Sequence, residues 1–316
     1  MKAFKFHRLL KSVLWGGERV TDFKGISNSQ AQVGESWEIS GVEGLESTVE
    51  GGDDEGLTLS QLIDRHREAL VGEEVYARYG NRFPLLVKLI DAEQDLSIQV
   101  HPDDEMAMRR HGSNGKTEMW YVIDHRRGAK ILAGFDRTLS PEEYDQRVEN
   151  GTIIDVIKKH DAHCGDVFFL KAGCIHSIGG GNLVAEIQQT SDITYRVYDY
   201  DRRDSSGNLR ELHVDAAREA LNFSVDDARI HIESRPGKTE LVDCPYFKVN
   251  RIMLDGVDTV DMPKSFLIIM CLKGNVIVTD NNGAEVPMHR GETILVPACL
   301  TRLHLDGQAI LLTATV

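Results

Sequence analysis

The chain has 316 residues, of which 41% are hydrophobic, and its formal net charge is −14. The length suits two modest domains, and the hydrophobic content supports a packed core, which excludes an intrinsically disordered protein. The negative charge excludes nucleic acid as a partner, because phosphate backbones would be repelled, but a small phosphorylated ligand needs only local positive charge.

Strand-like segments dominate the first part of the chain, and helices are predicted as insertions between them. Polar and apolar residues alternate over residues 36–40, which predicts a short strand. Apolar residues recur at intervals of three and four over residues 57–79, which predicts a helix with Ser60 as its cap. Residues 82–90 then begin a sheet, and residues 95–100 are expected to continue it.

Further helices are predicted in the middle of the chain. Ser140 is a suitable N-cap and Pro141 a suitable first residue for a helix that ends near residue 150. A second helix is expected over residues 153–160, and a third over residues 213–222.

Strands return over residues 167–200, where the glycine-rich run at residues 179–182 indicates a hairpin. The composition then shifts to that of a linker at residues 234–238. We therefore predict two units, a metal-binding unit over residues 1–235 and a second β-rich unit over residues 236–316.

The second unit contains an echo of the first. Residues 165–176 read as glycine, an acid, an apolar strand, a turn and then His176, and residues 291–302 repeat this order but end in Arg302. The strand before the second copy carries no His-x-His or Gln-x-His pair. The echo therefore predicts a related fold whose second copy has no metal site.

Four side chains of metal-ligand type stand at spacings that strands could bring together. Gln99 and His101 are two residues apart, so both side chains point the same way on an extended strand. Glu118 and His176 belong to two further strand-like runs. One amide oxygen, one carboxylate and two imidazoles suit a divalent first-row metal such as zinc, with at least one coordination position open.

The order of glycine, acid, strand, turn and histidine that ends at His176 resembles the second motif of the cupins, which are antiparallel double-sheet jelly rolls. The resemblance implies a mainly β fold, a cupin-type double-stranded β-helix (jelly roll) repeated twice, with small α-helical insertions. Lys171 stands where that motif usually has proline, whereas Pro297 keeps it in the second copy. Several unrelated chemistries use this fold, so the fold alone names no reaction.

Three longer strings narrow the resemblance to one family. Residues 96–104 (LSIQVHPDD), 115–121 (GKTEMWY) and 186–202 (EIQQTSDITYRVYDYDR) closely resemble the type I phosphomannose isomerases, whose Gln-x-His pair separates them from ordinary cupins. The length is similar to that of the short bacterial form. The resemblance implies interconversion of mannose 6-phosphate and fructose 6-phosphate, through a cis-enediol, at one zinc ion per chain.

The resemblance also implies roles for residues at matching positions. Ser97 and Lys116 match the family's phosphate contacts. Arg196 matches an arginine at the rim of the pocket, Glu186 a candidate proton-transfer carboxylate, and Lys88 a lysine of the same pocket. The zinc ligands that the family implies are the four residues found above: Gln99, His101, Glu118 and His176.

The sequence leaves some of these roles open. Glu186 is almost as compatible with a structural hydrogen bond, and Arg196 with an ion pair to Asp199 or Asp201. The proton that passes between C2 and C1 of the sugar could be moved by Glu186, by Lys88 or by a metal-bound water. Glu186 suits this role if burial raises its affinity for protons.

Two other functions are compatible with a cupin fold. An iron cupin oxygenase would typically carry a histidine-rich ligand set, which Gln99 fits poorly. A non-catalytic sugar-binding cupin would bind a sugar phosphate without exchanging its C2 proton with solvent.

The remaining features of the sequence concern the location and the partners of the protein. Five scattered cysteines, no secretory signal and no apolar run long enough to cross a bilayer predict a cytoplasmic protein without a membrane partner. A small-molecule sugar phosphate is the expected ligand. Oligomeric state is not readable from the sequence.

Overall fold

The computed structural model describes residues 1–27, 30–203, 206–233 and 235–316. The chain is mainly β, as predicted, and the described residues form twenty strands, seven α-helices and one 3-10 turn. No helix in these ranges is both long and apolar enough to cross a lipid bilayer.

The elements fall into an N-terminal and a C-terminal group. The first fourteen strands are β1 Lys5–Phe6, β2 Leu9–Gly17, β3 Val33–Ile39, β4 Val49–Glu50, β5 Leu85–Ala92, β6 Ile98–Val100, β7 Glu118–His125, β8 Lys130–Phe135, β9 Ile157–Asp161, β10 Val167–Leu170, β11 His176–Ile178, β12 Asn182–Gln189, β13 Tyr195–Tyr198 and β14 Arg229–Ile230. The last six are β15 Gly237–Asp243, β16 Lys248–Asp261, β17 Leu267–Asp280, β18 Glu285–His289, β19 Thr293–Val296 and β20 Arg302–Thr315. The helices are α1 Arg19–Lys24, α2 Leu59–His66, α3 Glu68–Val71, α4 Glu73–Tyr79, α5 Asp104–His111, α6 Pro141–Glu149 and α7 Val214–Ala220, and the 3-10 turn is Ile153–Val156.

Two antiparallel sheets pack against each other in the N-terminal part. The larger sheet has the strand order β14-β10-β7-β12-β5-β2-β3, and the smaller has the order β13-β6-β11-β8-β9. Trp120 and Val122 of β7 pack in one buried cluster with Ile131 of β8 and Ile178 of β11, between the two sheets. This is the double-sheet architecture expected of a jelly roll.

The larger sheet is buried on both of its faces. Every residue of β5 is buried. Successive residues of a strand point to opposite faces, and Met119 and Tyr121 of β7 belong to a second cluster, which also holds Leu62 of α2 and Phe266 and Leu312 of the C-terminal part. The strand that carries Glu118 is therefore fixed by packing from two sides.

The C-terminal part is a single six-stranded sheet with the order β15-β16-β20-β17-β18, and β19 pairs with β17. Three of its strands, β16, β17 and β20, are 14 residues long. Repetition of the whole jelly roll in this part stays a prediction. The predicted linker begins at Ser234, which lies outside the described residues, and the boundary between residues 235 and 236 also stays a prediction.

The sequence echo corresponds to a repeated pattern of backbone hydrogen bonds. Gly165 and Gly291 both have a positive φ, 90° and 84°, which favours glycine at these turns. Each donates its N–H to a strand carbonyl, that of Val122 and Cys271 respectively, and the same strand residue donates back to the carbonyl of the acid that follows the glycine. Where the first copy has a buried histidine, the second has the exposed Arg302.

The long helix predicted over residues 57–79 is wrong in detail, because the segment forms α2, α3 and α4. The breaks lie at Arg67, with φ 46° and ψ −128°, and at Gly72, with φ 95°. A positive φ interrupts the helical hydrogen bonds although the apolar spacing continues through it. The N-cap is Thr58, whose hydroxyl accepts a hydrogen bond within a capping box, and not Ser60.

Other predicted elements have mixed outcomes. Residues 82–90 and 95–100 do not form one sheet, since β5 lies in the larger sheet and β6 in the smaller. The glycine-rich run at residues 179–182 likewise joins strands of different sheets and is not a hairpin. Residues 153–160 form the 3-10 turn and most of β9 instead of a helix.

The helices with clear end signals are confirmed. Ser140 accepts a hydrogen bond from the backbone N–H of Glu143, and Pro141 is the first residue of α6. The helix predicted over residues 213–222 is α7, and the strand predicted at residues 36–40 overlaps β3.

Candidate metal centre and active site

Three of the four predicted metal ligands converge on one point between the sheets. His101 follows β6, His176 begins β11 and Glu118 begins β7. The Nε2 atoms of the two histidines are 3.2 Å apart. Glu118 places Oε2 3.5 Å from Nε2 of His101 and Oε1 3.3 Å from Nε2 of His176. All three side chains are almost fully buried.

Backbone carbonyls orient both imidazoles towards this point. Nδ1 of His101 lies 2.9 Å from the carbonyl oxygen of Ile193, and Nδ1 of His176 lies 2.9 Å from that of Cys174. A proton on Nδ1 that is donated to a carbonyl leaves the lone pair of Nε2 facing the other ligands, which is the arrangement of metal-bound histidines. Burial lowers the pKa of His176 to about 4, and burial and Lys116 lower the pKa of His101 well below its usual value. Both rings are therefore neutral at pH 7, as metal coordination requires.

Glu118 is the carboxyl group of this cluster. Burial raises the pKa of Glu118, against the opposing charge of Lys116. Both carboxylate oxygens are buried, and neither accepts a well-aligned hydrogen bond from a described residue, although Nζ of Lys116 lies 2.9 Å from Oε2. Nζ of Lys116 also lies 3.0 Å from Nε2 of His101. A buried carboxylate beside two imidazole nitrogens fits a divalent cation, because all three side chains could coordinate such an ion at once.

Gln99 lies beside this cluster. It is the central residue of β6 and is paired in register with His176 of β11 on one side and with Arg196 of β13 on the other. It is partly buried and lines the cavity described next. Its position thus brings an amide next to His176, and ligation by its oxygen stays a prediction.

A cavity of about 300 Å³ opens beside the cluster. Its lining includes all six of the remaining predicted site residues. The predicted residues that line it are Lys88, Ser97, Gln99, Lys116, Glu186 and Arg196. The volume lies at the small end of the range for pockets that bind small molecules.

Lys88 and Glu186 form a buried ion pair in the wall of the cavity. They face each other across β5 and β12, with Nζ 3.2 Å from Oε1, and Nε1 of Trp120 donates a hydrogen bond of 2.8 Å to Oε2. Burial alone would raise the pKa of Glu186, but Lys88, Lys116 and the indole N–H together lower it. The expectation that burial raises its proton affinity is therefore not met. Burial would lower the pKa of Lys88, but the charges of Glu186 and Glu35 raise it.

Arg196 has no ion pair with either acid named as its alternative partner. Its Nη1 donates to the carbonyl of Glu211 at 3.0 Å, and its buried Nε has no hydrogen-bond partner among the described residues. Asp199 instead pairs with Arg202 and Arg210. Burial lowers the pKa of Arg196, and the charge of Arg210 adds to this. Arg196 thus lines the cavity and keeps a donor, Nε–H, that has no acceptor among the described residues.

Several lining residues were not predicted. They are mostly aromatic or charged side chains from strands and loops distant in sequence: Trp15, Glu35, Trp120, Asp192 and Arg210. Trp120 and Asp192 lie inside the family-like strings and could have been found there. Glu35 and Arg210 have no local signal, since only the pairing of β3 with β5 and the loop after β13 bring them to the cavity.

Comparisons with known proteins identify the family of the chain. The sequence profile of "Phosphomannose isomerase type I, catalytic domain" matches residues 3–128, and that of "Mannose-6-phosphate isomerase, cupin domain" matches residues 237–316. The mannose-6-phosphate isomerase ManA of Bacillus subtilis is 37% identical over 309 residues, which cover 96% of both chains. The mannose-6-phosphate isomerase of Streptococcus mutans is 32% identical and covers 93% of this chain and 92% of its own.

Solved structures give the same result. The crystal structure of the mannose 6-phosphate isomerase from Bacillus subtilis superposes over 100% of both chains with a TM-score of 0.92 and 34% identity. A putative mannosephosphate isomerase from Archaeoglobus fulgidus shares the fold, with a TM-score of 0.83 at 22% identity. The identity and coverage of these relatives show that the chain is an enzyme of the type I phosphomannose isomerase family.

Proposed function

We propose that the protein interconverts mannose 6-phosphate and fructose 6-phosphate through a cis-enediol and depends on one zinc ion. The observation that carries the proposal is the convergence of two neutral imidazoles and a buried carboxylate, next to a cavity with several cationic side chains. Similarity to mannose-6-phosphate isomerases over nearly the whole chain supports the choice of substrate.

The residues proposed to hold zinc are Gln99, His101, Glu118 and His176. Two nitrogen donors, one carboxylate and one amide oxygen form a borderline ligand set that suits zinc and has no redox requirement. When bound, the ion would supply positive charge to the sugar oxygens on which negative charge develops during enolisation.

The cationic residues of the cavity are proposed to bind the rest of the substrate. Ser97 is buried two residues before Gln99, on the face of the β6 segment that lines the cavity, and its hydroxyl is proposed as a phosphate contact. Lys116 is proposed as a second one. Its present contacts with His101 and Glu118 also support an action of its charge on sugar oxygens near the ligands. Arg196 offers a free Nε–H for the phosphate or the enediolate.

Glu186 is proposed to move the proton between C2 and C1. A base must be unprotonated, and the lowered pKa keeps Glu186 ionised at neutral pH. Lys88 has a raised pKa and so keeps its proton, which argues against Lys88 as the base. We infer that Lys88 and Trp120 hold the carboxylate in place, and that Oε1, which lies 3.2 Å from Nζ of Lys88 and accepts no hydrogen bond from the indole, is the atom that takes the proton.

A coupled assay of fructose 6-phosphate formation tests the proposal. Activity is expected with mannose 6-phosphate, to be lost after chelation, and to return with zinc. An iron oxygenase would instead require iron and consume oxygen. A binding-only protein would leave the C1 and C2 proton signals of mannose 6-phosphate unchanged in heavy water, and that result would remove the isomerase proposal.

A further inference from the structure

A second cavity, of about 700 Å³, lies between the larger N-terminal sheet and the C-terminal sheet. Tyr121 and Ile123 of β7 line it, whereas Trp120 of the same strand lines the pocket beside the metal ligands. Because alternate residues of a strand point to opposite faces, the two cavities lie on opposite sides of β7. They share no lining residue among those described. We call the larger one the interface cavity.

Arg251 of β16 is the buried cation of the interface cavity. Its side chain lines the cavity while the residue is only 4% exposed. Nη2 donates to the carbonyl of Glu233 at 3.1 Å, and the guanidinium also interacts with the hydroxyl of Tyr121, but the buried Nε has no hydrogen-bond partner in the part of the chain that the structure describes. Within the same ranges no carboxylate forms an ion pair with Arg251. A buried guanidinium normally has such a partner, so this one is suited to an anion from outside the chain.

The other charges of the interface cavity leave an excess of positive charge. Lys273 and Arg290 also line it, and neither forms an ion pair with a carboxylate of the described residues. Asp22 also lines the cavity, and its negative charge partly offsets the positive charges of Arg251, Lys273 and Arg290. The ion pairs that engage the other two lining carboxylates are Arg19–Asp124 and Arg229–Asp166, each at 2.7 Å.

Apolar side chains form the remaining walls. Phe23, Leu183, Ile232, Leu272 and Ile310 contribute to the lining. A volume of this size, apolar walls and a few convergent charged groups are the features of small-molecule sites. Three cations favour a dianionic phosphate over a singly charged carboxylate, since each adds Coulomb attraction. We propose that the interface cavity binds a small phosphate monoester with an apolar body, and that Arg251 is its central contact.

A fluorine label on Cys164 gives a local test. Cys164 is exposed and lines the interface cavity, whereas Cys299 is exposed elsewhere and Cys244 is partly exposed. A trifluoromethyl ketone reagent would therefore be attached to Cys164 in the full-length, zinc-loaded C244S/C299S protein. Phenyl phosphate, inorganic phosphate and benzoate would each be titrated while the fluorine resonance is followed, with and without saturating mannose 6-phosphate.

Phenyl phosphate is expected to shift the resonance in a saturable way, with or without mannose 6-phosphate, and to bind more tightly than inorganic phosphate or benzoate. R251M should weaken this binding about 10-fold or more, the loss of a charge-assisted hydrogen bond to a charged ligand. K273M removes an exposed cation without risk to the core and should weaken it several-fold. R302M, which removes an equal charge from an exposed site outside the cavity, should have no effect.

Three results would overturn the proposal. They are no saturable shift with phenyl phosphate up to about 10 mM, the weak end of specific binding; a shift that mannose 6-phosphate abolishes by direct competition; or equal binding to wild type, R251M and K273M. Circular dichroism of each variant would show whether it is folded. If R251M is not folded, the binding measured with K273M decides whether the proposal holds.

Discussion

Substitution of Lys88 by methionine separates a catalytic Glu186 from a structural one. In the wild type, Lys88 lies 3.2 Å from Glu186 and is the main group that lowers the pKa of Glu186 against burial. Methionine keeps the apolar stem and removes the charge. The pKa of Glu186 should then rise, because burial would no longer be opposed by its nearest cation.

The size of the rise follows from the distance. Two charges 3.2 Å apart interact by about 5 kcal/mol at an effective dielectric constant of about 20, which is an upper limit on the lost attraction. One unit of pKa corresponds to about 1.4 kcal/mol. Water that enters the site and the remaining charge of Lys116 would reduce the effect, and we take about half of the upper limit. The pKa of Glu186 in K88M should then rise by about 2 units.

The assay is the pH dependence of kcat/KM for fructose 6-phosphate formation. A base acts only when ionised, so activity falls as the pH drops through its pKa, and the acid limb of K88M should lie about 2 units above that of the wild type. Substitution of Glu186 by glutamine should lower kcat by a factor of about 10² to 10⁴, with zinc retained. If the acid limb of the K88M profile does not move, Glu186 is not the base. A carboxylate with only a structural role would not set the pH dependence of kcat/KM, so a change in its pKa would not shift the profile.

Four further outcomes are expected. Substitution of Gln99 by leucine should weaken zinc binding, measured by competition with a chromophoric chelator, because one oxygen donor is lost while the neighbouring β6 residues stay buried. Chelation should lower the melting temperature of the wild type by several degrees, since a ligand at about 1,000 times its Kd stabilises the native state by about 4 kcal/mol. Arg196 replaced by methionine should raise KM for mannose 6-phosphate about 10-fold, through loss of a charged donor. Arg67 replaced by glycine should stabilise the protein by about 1 kcal/mol in urea unfolding, because glycine adopts φ 46° without strain and residue 67 is exposed. An R67G protein that is less stable than the wild type would contradict the strain at that position.

The convergence of the candidate metal ligands His101, Glu118 and His176 could be predicted because strand geometry is local. A spacing of two residues and a family-like string place Gln99 and His101 on one side of a chain segment, whatever the rest of the fold does. The partner of each strand is not local. The pairing of Gln99 with His176, and the burial that keeps both imidazoles neutral, depend on contacts between residues more than 70 positions apart.

The same limit explains the errors. Propensity and periodicity describe a segment, but they do not say which sheet receives it, so β5 and β6 were expected in one sheet and lie in two. The apolar spacing of residues 57–79 is compatible with one helix or with three that share a buried face, and the positive φ of Arg67 leaves no mark in that spacing. The pKa of Glu186 could not be predicted for a related reason, because the lysine that lowers it lies on another strand, 98 positions away by the numbering.

The position of the larger sheet connects these observations. It is the middle layer of the molecule, so each of its strands must present suitable side chains to two different environments. On β7, Glu118 and Trp120 face the candidate metal site and the cavity beside it, whereas Met119 and Tyr121 face the C-terminal part. A one-residue slip of β7 would exchange the two sets, burying Glu118 in the apolar cluster and removing a candidate ligand. The packing of the C-terminal sheet on Met119 and Tyr121 therefore fixes the register on which the candidate metal site depends.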